Sequence, residues 1–120
     1  MAVRAIRGAT QVDANGREQI LEATTELVTE VMTRNELTTD DVISVLFTAT
    51  PDLNAEFPAL AARKLGFHDV PLICASEIDV PHALPRVIRL IAHIETAKPR
   101  SAVQHVYLRG AAALRLDIAQ

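Results

Sequence analysis

Residues 17–49 read REQILEATTELVTEVMTRNELTTDDVISVLFTA, and this stretch decides the fold. Ile20, Leu21, Leu27, Val28, Val31 and Met32 recur at spacings of one, three, four and seven, while Glu18, Glu22, Glu26 and Glu30 line the opposite face. That is the pattern of an amphipathic helix from about Arg17 to Arg34. Asn15 followed by Glu18 resembles a capping box at its start. After a polar connection over Leu37–Asp41, Val42 to Ala49 is β-branched and apolar, as a strand buried on both faces is.

Working outward, Val3 to Val12 reads as a strand, with Gly8 as a bulge or a point of close approach. Asp13-Ala14-Asn15-Gly16 is turn chemistry. Pro51-Asp52-Leu53-Asn54 ends the second strand. Pro58 suits the first turn of a second helix, with Leu60, Ala61, Ala62 and Leu65 inside and Gly66 as its C-cap. Val70 to Ala75 reads as a third strand and Asp79 to Pro85 as a loop. Val87 to Thr96 fits a strand by its β-branched content and length. Val103 to Leu116 reads as a final strand or bent ribbon around Gly110. The order is β-α-β-α-β-β-β, with no repeats or linkers, and 120 residues fit one domain spanning residues 1–120.

Composition narrows the function classes. Net charge is −3, aromatics are 3 %, and there is no Lys/Arg block, which argues against a nucleic-acid partner. The single cysteine, Cys74, rules out an intrachain disulfide and suits a reducing compartment. The N-terminus lacks a signal-like apolar run, and no apolar stretch approaches the ~20 residues of a membrane span. A cytoplasmic chain with no membrane or nucleic-acid partner is expected. His68, His82, His93 and His105 have no metal-ligand spacing, and there is no phosphate-cradling glycine loop and no nucleophile elbow. Pattern alone therefore stops at a small α+β domain with no metal and no cofactor.

Longer strings carry more. RAIRGAT (4–10), TATPDLNAEFPA (48–59), VPLICASEIDV (70–80), VIRL (87–90) and HVYL (105–108) each resemble a block of the monofunctional chorismate mutases of the trimeric class, in that family's order and near its spacing. The resemblance implies a mixed five-stranded sheet packed on two helices, assembling into a trimeric pseudo-α/β barrel with active sites between subunits. It implies the cofactor-free rearrangement of chorismate, a dianion, to prephenate. Some positions depart from the family's pattern: Leu60 stands where a basic residue is expected, Ile73 replaces a polar one, Pro81-His82-Ala83 replaces a glycine-containing loop, and Leu116 replaces a proline.

The implied reaction is pericyclic. An ether C–O bond breaks while a C–C bond forms in the same molecule, so no proton must move and no nucleophile is needed. Catalysis then rests on conformational restraint and electrostatics. By resemblance, Arg89 meets the ether oxygen and a carboxylate, Arg7 grips a carboxylate, and Glu77 meets the ring hydroxyl and the electron-poor ring. Ile73, Cys74, Ala75 and Ser76 line the substrate, with Cys74 a contact and not a nucleophile. Tyr107 donates a hydroxyl to a carboxylate. Phe57, Arg63 and Leu114 match a wall supplied by the adjacent subunit, and Arg115 closes the site from the C-terminal end. Arg89 also stands out without the resemblance, because it interrupts the most apolar strand and an arginine there needs a partner or a cleft. Two other readings stay open: an imine or enamine deaminase on a similar trimer, and a binding module that kept the fold without turnover.

Overall fold

The computed structural model describes residues 1–115. Five strands form one mixed sheet in the order β3-β2-β4-β1-β5: β1 (Ala2–Gln11), β2 (Val42–Ala49), β3 (Leu72–Ser76), β4 (Val87–Thr96) and β5 (Val106–Tyr107). The central pairs β1–β4 and β2–β4 are antiparallel, and the outer pairs β2–β3 and β1–β5 are parallel. Helix α1 (Arg17–Arg34) and the short α2 (Ala59–Lys64) complete the fold.

Alternation along the strands gives the sheet two unlike faces. One face carries Ile6, Val45, Phe47, Ile88, Leu90, Ala92 and Ile94, which form the main core with Ile20, Ala23, Leu27, Val28 and Val31 of α1. Fully burying side chains such as Phe47, Ile20 or Leu27 contributes about 1.5–3 kcal/mol each. The 3.6-residue period of α1 is thus satisfied by the two-residue period of the sheet. The second face carries Arg7, Ala9, Thr48, Arg89 and Tyr107.

The structure corrects several local expectations. Gly8 is not a bulge, since β1 and β4 pair without a break from Ala2↔Thr96 to Gln11↔Val87. It is a close approach: a Cβ there would lie 3.2 Å from Leu27 Cδ1 and 3.3 Å from Leu90 Cδ1. The one irregularity among these pairings falls in β2, between Val42 and Ser44. Asn15 does not cap α1, whose N-cap is Gly16 without a side-chain bond. The Asn15 carboxamide instead accepts the backbone N–H groups of Asn54 (3.0 Å) and Ala55 (3.1 Å), which draws it away from the helix. Leu65 is exposed, and Ala59 takes the buried place in α2. Gly66 follows the helix at φ 104°, the left-handed conformation that ends helices.

The largest correction is at the C-terminal end. The expected ribbon over Val103 to Leu116 does not form among the described residues: β5 is two residues long, and Arg109–Arg115 winds into a 3-10 helix. Arg109, at φ 53°, turns the chain out of the sheet direction and reaches Glu26 of α1 at 3.2 Å. The apolar spacing of the described part of this segment fits this because Ala111 and Leu114 fold back onto Ala9 and Tyr107. Leu116 lies outside the described residues. In the loop where a glycine was expected, His82 adopts φ 72°.

Candidate active site

The register places one residue from each strand in a row across the second face: Ala75, Thr48, Arg89, Ala9 and Tyr107. Thr48 and Ala9 therefore flank Arg89 on either side. Glu77 follows the end of β3, and its backbone N–H donates to Ala49 O at 2.9 Å, which extends the strand's path by one residue. The Glu77 carboxylate then meets two donors. Arg89 Nε donates to Oε1 at 3.2 Å and Oε2 at 3.1 Å, and the Thr48 hydroxyl donates to Oε2 at 2.7 Å. The Arg89 side chain stays 43 % exposed and that of Glu77 16 %. The hydrogen bonds of Arg89 among the described residues use Nε, so the fork of terminal nitrogens is available for an anion.

Arg7 lies on the same face, two residues from Ala9 along β1 and opposite Ile91. Diagonal neighbours in such a pair are about 7–8 Å apart at Cα, so two guanidinium groups share one region of the sheet. Tyr107 is 5 % exposed and packs with Ala9, Ala111 and Leu114. Two cations, a hydroxyl-bearing ring and a carboxylate on one face can hold a compact dianion.

Of the other expected residues, Ala75 sits in the row of Arg89 and Leu114 packs on Ala9 and Tyr107, while Cys74, Ser76, Phe57 and Arg63 lie elsewhere in a single chain. Cys74 alternates to the helix side of β3, in register with Phe47, and packs against the main core. It lines a cleft of about 480 Å³ with Ala75, Ser76, Phe57 and Glu56. A second cleft, of about 300 Å³, joins Cys74 and Ile73 to Phe57 and Arg63. Neither cleft includes Arg7, Glu77, Arg89 or Tyr107. The expected residues thus form two groups, one on the sheet face and one wrapped around the β3 edge. Arg115 ends the described chain, and its side chain lies outside the described residues. Within the β3-edge group, Glu56 accepts the Phe57 backbone N–H and the Arg17 guanidinium, each at 2.9 Å. The Phe57 bond first, and Arg17 with it, hold the Glu56 carboxyl below its ordinary value against the opposing effect of burial.

Sequence reasoning did not single out Thr48. Only the register shows that Thr48 sits between Ala75 and Arg89 and bonds Glu77. The alternation of β2 marks it as an outward polar residue and goes no further.

Such a face, with an arginine–carboxylate pair steadied by a hydroxyl and a second arginine beside it, defines an enzyme that binds a small anionic substrate by charge. The family profile described as chorismate mutase type I matches residues 3–118, and the chain belongs to that family. It is similar to chorismate mutase AroH of Thermus thermophilus, 46 % identical over 97 % of this chain and 96 % of the relative. It is also similar to chorismate mutase AroH of Bacillus subtilis, 40 % identical over 98 % and 94 %. Among solved structures, a chorismate mutase from Clostridium thermocellum superposes with a TM-score of 0.90 at 46 % identity, over 91 % of this chain and 97 % of that one.

Proposed function

We propose that this chain converts chorismate to prephenate by an electrostatically assisted pericyclic rearrangement, with no covalent intermediate. The observation that carries the reading is the Arg89–Glu77 pair, steadied by Thr48, on a sheet face shared with Arg7. Negative charge grows on the ether oxygen as the C–O bond breaks, and the Arg89 guanidinium offsets it there. Glu77 accepts the ring hydroxyl and faces the fragment that becomes electron-poor. Arg7 and Tyr107 hold the carboxylates and so keep the substrate folded, which supplies the entropic part of the rate gain. Ile73 and Ala75, on the same sheet face as Arg89, line the ring, while Cys74 and Ser76 alternate to the helix side.

The working unit in this reading is a homotrimer in the cytoplasm, acting as one domain per chain. An apolar row supports it: Ile73, 64 % exposed, lies beside the half-buried Leu46 and Ile91, next to Arg7. The split of the site residues supports it too. Phe57 and Arg63, which share no cleft with Arg89 in their own chain, would reach the neighbour's Arg89 across such an interface, whereas Leu114 packs on Ala9 and Tyr107 of its own chain and Arg115 closes the site from the C-terminal end. Phe57 is 67 % exposed, unusual for a phenylalanine with no partner.

The test is direct. Purified protein is added to chorismate, the loss of chorismate absorbance is followed, prephenate is identified as product, and mass is measured by sedimentation. Turnover to prephenate by a species three times the 13.1 kDa chain is expected. Tight binding of a bicyclic transition-state mimic without turnover would leave only a binding module.

A further inference from the structure

Strand β5 spans only Val106 and Tyr107, paired with Gly8 and Ala9. So short a ladder fixes little by itself, and side chains extend it at its open end. The backbone N–H of Arg7, one residue before the ladder begins, donates to Nδ1 of His105 at 2.9 Å. Asn35 brackets the residue before that: its Oδ1 accepts the Gln104 N–H at 2.8 Å, and its Nδ2 donates to the Gln104 carbonyl at 2.9 Å. Asn35 is 4 % exposed and also donates to Val31 O, so the bracket is anchored to the last turn of α1.

A half-buried backbone N–H needs an acceptor. In a longer parallel ladder the neighbouring strand's carbonyl would fill that place. Here an imidazole fills it, on a strand residue whose side chain is a candidate grip for a substrate carboxylate. We propose that His105 is a positioning residue: it fixes the backbone of Arg7, and through it the place of the Arg7 guanidinium on the sheet face. This deepens the reading of Arg7 as a carboxylate anchor and rests on it. His105 itself touches no reacting atom, and Asn35 holds the segment that carries it.

The experiment uses steady-state kinetics with chorismate and thermal unfolding of the full chain carrying Arg7→Ala, His105→Leu, His105→Asn, His105→Gln, or Arg7→Ala with His105→Leu. Asn places an acceptor oxygen near the position of Nδ1, whereas Gln places it near Nε2. His105→Leu should raise KM about tenfold with kcat changed less than about threefold, the pattern of a lost uniform contact. His105→Asn should restore most of the affinity and His105→Gln should not. The double variant should be no worse than Arg7→Ala alone, because both changes act on one contact. If His105→Leu does not fold, the comparison of Asn with Gln decides. Equal KM for Asn and Gln, or multiplicative losses in the double variant, would overturn the positioning role. An unchanged KM in Arg7→Ala would instead overturn the reading of Arg7 beneath it.

Discussion

Replacing Arg89 with alanine separates catalysis from stability, because the structure sets different magnitudes for the two. The bond that Arg89 makes to Glu77 is an ion pair whose arginine side chain is 43 % exposed. Solvent screening limits such a pair to about 0–1 kcal/mol of folding stability. A shift in Tm of at most about 8 °C follows for a domain of this size. Removing an oriented donor from developing transition-state charge costs more, about 2.7–4 kcal/mol, so kcat should fall at least about a hundredfold. Arg89→Lys should fall between, since lysine keeps the charge but loses the planar fork and the Nε bond that both Glu77 oxygens share. Turnover is read from the loss of chorismate absorbance at saturating substrate, and Tm from circular dichroism on the same samples. A kcat within about threefold of the parent would remove Arg89 from the mechanism. So would a large kcat loss matched by an unfolded fraction of the same size.

Three further outcomes are expected. Thr48→Val removes the 2.7 Å bond to Glu77 and should lower kcat/KM about tenfold, while Thr48→Ser keeps the donor and most of the activity; equal kinetics for Val and Ser would show that the hydroxyl is idle. Thr10 is fully buried and its Oγ1 has no hydrogen-bond partner among the described residues, so Thr10→Val should stabilise the protein by about 1 kcal/mol, seen as a higher urea midpoint at constant m-value. Glu56 has a folded pKa below its unfolded value, so its contribution is present above the ordinary carboxylate range and lost as pH falls through the lowered value. Glu56→Gln should therefore be less stable at neutral pH, and the two urea midpoints should converge in acid; a gap that persists in acid counts against the linkage.

Much of the site's chemistry was legible only by resemblance. Arg89 alone announced itself physically, as a charge inside an apolar strand, and the structure supplies the partner such a residue needs in Glu77. Glu77 and Arg7 are ordinary polar positions until the register is known. Thr48 shows locally only as an outward polar residue of β2, and the importance of both Thr48 and His105 lies in what other strands bring to them.

Local order came from the chain's own periodicity. The bounds of α1 at Arg17–Arg34, β2 at Val42–Ala49 and β4 at Val87–Thr96 follow from apolar spacing, which reports which face of an element meets a core. The tertiary structure decided what periodicity does not encode. The order β3-β2-β4-β1-β5 joins residues as distant as Arg7 and His105, and such pairing depends on how whole elements pack. The same packing turned residues 109–115 into a 3-10 helix, since burying Ala111 against Ala9 and Tyr107 outweighed any preference of that segment for an extended form. A sheet face becomes a binding surface only when register aligns its rows, and register is a property of neighbouring strands together, not of any one of them.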